Sequence, residues 1–498
     1  MTAPFILSAA EMAQAEKLAT EAGVSGAAMM ERAGEGAAAI AMRFWDKRPV
    51  AVLCGPGNNG GDGFVIARKL SEAGWSLRVG LLGARDALQG DAKLMSSLYR
   101  GEVEPLGPAV LEGAGLIVDA LFGTGLKRPL DAEARAVIEA ANAHPAPALA
   151  VDIPSGVDAD TGAGAVAMRA TRTATFFLKK PAHVLFPGRA LAGAIDVIDI
   201  GIPSDVLPKI NPHTIENAPA VWGPVFRRPG FGAHKYSRGH AAVISGPRLR
   251  SGASRLAARA ALRAGAGLVT VLTPPDAAAE NAANLTAVML REAKDALEVG
   301  DILSDKRFTA ALIGPGAGTG GATVEKAFAM LKSQAAGILD ADIFTGFAPR
   351  PDALFAALRP GDVLTPHEGE FVRLFKEFDP KAMGKLAAAR GAAKRAGCIL
   401  VLKGADTVIA APDGRAAVNV NAPPDLATAG SGDVLAGFIL GLRAQGMPAF
   451  ESAAAAVWLH GACGQAAGPG LIAEDLPEVL PQVLRTLLSP PPQQESTP

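Results

Sequence analysis

The sequence has little cysteine, no excess charge of either sign and no long apolar run. Its three cysteines, Cys54, Cys398 and Cys463, offer neither a disulfide framework nor a metal-like spacing, and they read as small buried hydrophobes. Lys and Arg total 48 against 49 Asp and Glu, a formal charge of −1. That balance excludes the basic footprint of a nucleic-acid binder and any general attraction to an acidic membrane, so an anionic ligand has to be held by local geometry. No stretch reaches the ~18 apolar residues of a membrane helix. The opening MTAPFILSAAEMAQAEKLA lacks a basic segment and carries acids early, unlike a secretory signal. A cytoplasmic protein is expected.

What is present is a chain of 498 residues, 49% hydrophobic and 19% charged, which is globular and too long for one ordinary core. Short apolar runs such as PVAVLCG, GLIVDALFG, HAAVISG and CILVLKG alternate with Ala-rich helical segments. This rhythm predicts α/β domains with parallel sheets covered on both faces. Most runs end in Gly, Asp, Ser or His, where open α/β sheets bind ligands. A Pro-rich stretch near residues 203–225 predicts a boundary, giving domains at 1–215 and 222–488 and a disordered tail at 489–498. Ser8 and Glu11 form a capping-box pattern ahead of a helix.

Two segments present glycine-rich backbone at a helix start, where free N–H groups and the helix dipole stabilise anions. The first is LCGPGNNGGDG (53–63), which follows an apolar strand. Gly55, Gly57 and Gly60 fit a dinucleotide-type spacing, but the next strand ends without the ribose-binding acid, so ordinary dinucleotide binding is not expected. Two more polar loops follow strands, DALFGTGLKR (119–128) and VDIPSGVDADTG (151–162). In a parallel sheet the three loops converge at one edge. Asn59, Asp119 and Ser155 then make an all-oxygen set suited to a hard cation. Asp152 is placed to act as acid or base. Gly123, Thr124 and Gly125 offer a second backbone cradle, and Arg128 a charge for phosphate. Taken singly, each has an ordinary alternative: Asp119 or Ser155 as a helix cap, Asn58 and Asn59 as turn formers.

The motifs GPGNNGGDG, DALFGTGL and VDIPSG, in that order over roughly residues 8–205, resemble the NAD(P)H-hydrate epimerase family. The resemblance implies that Asn59, Asp119 and Ser155 bind potassium. It also implies that Asn58, Asn59, Gly60, Gly61, Asp62, Gly123, Thr124, Gly125, Leu126, Lys127, Arg128, Pro129 and Asp152 contact the hydrated nucleotide, with Asp152 catalytic. A family lysine matches Lys180 in FFLKKPAH, with Lys179 as the neighbouring alternative.

The second segment is DLATAGSGDVLAGFIL (425–440), which resembles the glycine-x-glycine-aspartate signature of ribokinase-like kinases. Asp433 there stands at a helix start beside the Gly430–Gly432 amides. It is placed to take a hydroxyl proton while the amides stabilise a transferring phosphoryl group. An ordinary acidic residue complementing the helix dipole is the alternative. Glu370, three residues after His367 in TPHEGE, sits where such a kinase would hold metal-bound water.

LDAD, TPHEGE, KGADT and AGSGD, in order across roughly 225–485, resemble ADP-dependent NAD(P)H-hydrate dehydratases; His367 stands where related kinases show Asn. The resemblance implies that Lys403, Gly404, Ala405, Asp406, Thr407 and Gly432 contact the adenine nucleotide. Ala253, Gly316, His367 and Asp433 would contact the hydrated nucleotide, with Asp433 catalytic. The loop SGPRLRSGAS departs from the family's glycine-glycine-serine start.

Together these resemblances imply a bifunctional isomerase and lyase of metabolite repair. Its N-terminal domain is Rossmann-like, a three-layer α/β/α fold, and its C-terminal domain is ribokinase-like α/β. The implied activity interconverts R and S hydrated NADH or NADPH and dehydrates the S form with ADP, releasing AMP and phosphate. Potassium, ADP and Mg2+ are the implied cofactors, the partners are small molecules, and a homo-oligomer is expected. Two rival readings are a vitamin or sugar kinase fused to an isomerase and a non-catalytic scaffold module.

Overall fold

The computed structural model of the chain describes residues 4–126 and 129–489. Lys127, Arg128 and all of the expected tail but Ser489 lie outside these residues. The chain divides into two compact units, Phe5–Ile215 and a second beginning at Glu216.

In the first unit the central strands are largely apolar and buried, because both faces of the sheet are covered there. Val50–Cys54 and Leu116–Ala120 are buried at every position. The strand order is Glu104–Pro105, Leu77–Leu81, Val50–Cys54, Leu116–Ala120, Ala148–Val151, Arg172–Phe176, Ala194–Ile198, all parallel. The helices Gly26–Phe44 and Asn58–Glu72 pack one face through Ala33, Ala37, Val65 and Ile66. Ala132–Ala143 packs the other through Val137 and Ile138. Helix Ala9–Glu21 starts at the Ser8–Glu11 capping box read from the sequence. Strand order reverses between Val50–Cys54 and Leu116–Ala120, and at such a reversal the following loops diverge and leave a crevice.

The second unit has the parallel order Met289–Glu292, Leu268–Thr273, His240–Ile244, Phe308–Ile313, Ala336–Leu339, Val363–Leu364, Ile399–Leu402, then Val408–Ala410 and Ala416–Val418 antiparallel. The reversal falls between His240–Ile244 and Phe308–Ile313. Helix Ser431–Ala444 is nearly all apolar and packs closely on helix Gly252–Arg263. A Cβ at Gly437 or Gly441 would lie 2.3 Å from the carbonyl of Ala257 or Ala261, so only glycine permits this approach.

The stretch 203–225, read as irregular, contains helix Leu207–Ile210, strand Thr214–Glu216 and helix Pro219–Trp222. Pro208 and Pro219 open its helices at the first turn, where no N–H is needed. The buried Trp222 packs against Trp458 with ring centroids 5.7 Å apart and tilted planes, and anchors the start of the second unit. All three cysteines are buried and free. Among the described residues no helix is long and apolar enough to cross a membrane.

Candidate active sites

At the reversal in the first unit, the loops after Cys54, Ala120 and Val151 line a cavity of about 580 Å³. Gly55 and Gly60 make it possible: a Cβ on Gly55 would sit 1.8 Å from the Leu121 carbonyl, and one on Gly60 would sit 1.9 Å from the Gly55 carbonyl. The glycine loop thus folds onto the neighbouring strand end, and helix Asn58–Glu72 begins beside the cavity.

Asp152 follows its strand with φ 65, a left-handed conformation that costs ~1–2 kcal/mol for most residues and is best tolerated by Asn and Asp. This turn aims its carboxylate at the fully buried Lys180, whose Nζ lies 2.7 Å from Asp152 Oδ1. The ammonium also donates to Thr175 Oγ1 (2.9 Å) and the Phe176 carbonyl (3.0 Å), so all three of its protons are used. Burial pushes the Asp152 carboxyl upward, but the Lys180 charge outweighs it and leaves Asp152 below its ordinary value. His183 accepts from the Lys180 amide through Nδ1, and its Nε2 lies 2.9 Å from the Asp152 carbonyl. Burial pulls His183 down to about 4, so it is a neutral brace. Lys180 is therefore the lysine that reaches the site.

Two further carboxyls face this pair. Asp62 is buried and held well above its usual range by desolvation, then by the charges of Asp152 and Glu16. Glu16, from helix Ala9–Glu21, lines the same cavity and is raised by loss of solvent and by Asp152. Nothing in the sequence marked Glu16, because its contribution depends on where a distant helix packs.

Asp119 is fully buried. Its carboxyl accepts from Ser155 Oγ (2.6 Å) and the Ser155 amide (2.8 Å), while Ser155 Oγ accepts from the Phe122 amide (2.9 Å). These donors are neutral, and burial pushes Asp119 up to about 6 despite them. Asn59 comes from the facing loop, and its Nδ2 is buried without an acceptor among the described residues. Turning that amide over would put an oxygen at this unpartnered position, where a cation would satisfy it. The donor set therefore fits a hard cation whose charge would offset that of Asp119.

Of the other residues expected to touch substrate, Asn58, Asn59, Asp62, Gly123, Thr124, Gly125, Leu126 and Asp152 line the cavity. Gly60 and Gly61 do not. They are buried packing positions, Gly61 against Met30. Pro129 is exposed and outside the lining.

In the second unit, strand Ala336–Leu339 ends at the buried Asp340, which accepts from Lys403 Nζ (2.7 Å) and Thr365 Oγ1 (2.8 Å). Lys403 is thus held beside Gly432 at the start of helix Ser431–Ala444. Gly430 caps that helix with φ 85, turning the chain so that Asp433 falls in its first turn. Burial, and then the charge of Asp340, push Asp433 up to about 7. That is the range of a base working near neutral pH.

His367 caps helix Glu368–Leu374 and forms a capping box with Glu370, whose Oε2 accepts from the His367 amide at 2.8 Å. Its backbone also bridges to Lys403. Thr407 Oγ1 donates to the Gly404 carbonyl at 2.8 Å, and Asp406 pairs with Lys385, so 403–407 forms a fixed turn. Gly316 sits against the Gly246 and Arg250 backbone, with Ala253 adjacent. LDAD alone does not mark Asp340 as a site residue; its position at the end of strand Ala336–Leu339 is the signal that points to it. Among the described residues no three His, Cys, Asp or Glu side chains converge to hold a metal ion.

The fold and its two sites define a bipartite α/β enzyme, with one acid–base cavity on a Rossmann-like sheet and a kinase-like glycine turn on a second sheet. The chain is 36% identical to the bifunctional NAD(P)H-hydrate repair enzyme Nnr of Moorella thermoacetica over 97% of each chain. It is 34% identical to that of Escherichia coli K12 over 92% of this chain and 89% of the relative. The chain belongs to the family of bifunctional NAD(P)H-hydrate repair enzymes. Residues 26–182 match the family described as YjeF-related protein N-terminus, and residues 241–482 the NAD(P)H-hydrate dehydratase family. A solved ribokinase-like superfamily protein from Enterococcus faecalis V583 is 25% identical with a TM-score of 0.50, covering 56% of this chain and 98% of that one.

Proposed function

We propose that the first unit interconverts the R and S forms of hydrated NADH and NADPH, and that the second dehydrates the S form with ADP. The observation that carries this reading is Asp433, a carboxyl held near neutrality in the first turn of a helix opened by Gly430. Asp433 takes the proton of the hydroxyl on the hydrated ring as that oxygen attacks the β-phosphorus of ADP. AMP leaves and the hydroxyl becomes a phosphate ester. Hydroxide is a poor leaving group and phosphate a good one, so elimination of phosphate then restores the reduced nicotinamide. The Gly430–Gly432 backbone and Lys403 stabilise charge on the transferring group. Mg2+ bound to the nucleotide phosphates would neutralise charge on them.

In the first unit Asp152 acts as the acid–base group, with Lys180 keeping it ionised. Asn59, Asp119 and Ser155 would hold potassium, which supplies fixed positive charge beside the cavity. Asn58, Asp62 and Gly123–Leu126 wall the substrate.

The test follows absorbance at the reduced-nicotinamide band with a mixture of epimers, with and without ADP. Recovery is expected only with ADP, with AMP and phosphate released in step. Accumulation of a stable phosphorylated product would instead mark a small-molecule kinase.

A further inference from the structure

The loop that departs from the family's glycine-rich start, Pro247–Arg250, is a tight turn closed by the Arg250 amide on the Pro247 carbonyl at 3.0 Å. Its third residue, Leu249, has φ 69, a conformation that favours glycine at this turn position, and its side chain is 85% exposed. The turn is held from beneath. Glu280 accepts from the Leu249 amide at 3.0 Å and from the Ser251 hydroxyl, and Asp276 accepts from the Arg248 amide at 3.2 Å. A strained, solvent-facing turn fixed by two carboxylates costs stability and points to a role.

The turn lies at the strand reversal of the second unit. The Arg250 carbonyl packs on Gly316, and Ala253 follows three residues later. The arginines nearby divide into two kinds. Arg255 is tied to Ser251 and Glu280, and Arg259 and Arg263 to Glu478. Arg248 and Arg250 are exposed, and among the described residues neither guanidinium has a partner. The neighbouring site is acidic: Asp340, Asp342 and Glu370 all act on Asp433, against Lys403. Cations at the rim of such a site would attract the phosphates of a dinucleotide and offset the repulsion of these carboxylates.

We propose that Pro247–Arg250 is a phosphate clamp for the hydrated nicotinamide nucleotide, in which Arg248 and Arg250 bind its phosphate oxygens. This rests on the dehydratase reading above. Two phosphate sources share this chemistry, the diphosphate bridge and the 2′-phosphate found only in the NADPH form. Guanidinium is suited to both because it donates two parallel hydrogen bonds. The Glu280 anchor fixes the turn before binding, so little ordering remains to oppose association.

The test uses the full chain with Arg248→Ala, Arg250→Ala and the double variant, assayed with purified S forms of hydrated NADH and hydrated NADPH. KM for the hydrated nucleotide should rise about ten-fold or more per arginine, the usual worth of a hydrogen bond to a charged group. The kcat and the KM for ADP should hold, and lysine at either position should restore part of the loss. An equal rise for both nucleotides assigns the diphosphate, and a rise confined to hydrated NADPH assigns the 2′-phosphate. An unchanged KM in the double variant, or a rise in KM for ADP alone, overturns the clamp. A wild-type chain that turns over neither nucleotide overturns the dehydratase reading and the clamp with it, whereas normal wild-type turnover with unaffected variants sinks the clamp alone.

Discussion

Lys180 is fully buried, and its ammonium is satisfied by Asp152, Thr175 and the Phe176 carbonyl. Breaking such a pair from one side leaves a buried charge uncompensated, at a cost of about 3–5 kcal/mol. Lys180→Met should therefore destabilise the first unit and abolish epimerisation, while Lys179→Met keeps most of both. Denaturant unfolding and epimerase assays of the two variants check this, and equal effects would count against Lys180. The pair also sets a pH dependence. Asp152 sits below its unfolded value, so its stabilisation is complete above roughly pH 4 and is lost as pH falls through the folded value. Asp433 has the opposite sign. With a folded value of about 7, it holds its proton to higher pH in the native state than when unfolded. Its contribution is therefore favourable in acid and lost as pH rises through about 7. Asp433→Asn should then melt above the wild type at pH values beyond that range, yet lose ~10²–10⁴-fold in dehydration, with epimerisation retained. A melting difference that is the same at acidic and alkaline pH would contradict this account.

At the scale of elements, the first site is built where strand order reverses and depends on the close approach of the loops after Cys54 and Ala120, whereas the second gathers the ends of Ala336–Leu339, Val363–Leu364 and Ile399–Leu402 beside helix Ser431–Ala444. Gly55→Ala would set a Cβ 1.8 Å from the Leu121 carbonyl, so the two loops must part. Overpacking of this kind costs typically ~1–3 kcal/mol, and epimerisation should fall sharply while dehydration of the pure S epimer is unchanged. Retained epimerisation would mean that the cavity tolerates a wider opening. These loops were legible in the sequence because glycine and polar residues after an apolar run mark a strand end whatever the tertiary arrangement. Three features were not legible. Lys179 and Lys180 are adjacent and chemically identical, and only the path of the chain after Phe176 decides which one turns inward. Glu16 lies far from Asp152 in sequence, on a helix whose pattern signals only amphipathicity. The prolines between 203 and 225 read as loop, because proline opening a short helix and proline interrupting one carry the same letter. Gly60 and Gly61 show the converse: the resemblance brought them to the ligand, while the fold sets them in packing positions beside the cavity lining.

At the scale of the whole molecule, each unit carries its own strand reversal and its own titratable centre, and among the described residues the acid–base set of each is drawn from that unit. Each also exceeds ~150 residues, a size that buries enough surface to fold alone. Residues 1–215 expressed separately should epimerise hydrated nucleotide without any need for ADP. Residues 216–498 should dehydrate with ADP but act on the S form only. Given a mixed substrate, the second fragment should release reduced nicotinamide in a fast phase and then stall at the pace of spontaneous epimerisation, and adding the first fragment should release the remainder. The Asp152→Asn first fragment should fail to do so, which ties the rescue to the acid–base pair rather than to binding alone. If the second fragment consumed both epimers in a single fast phase, the division of labour between Asp152 and Asp433 would be wrong. If the first fragment accelerated the fast phase itself, the units would be coupled in a way their separate sites do not require.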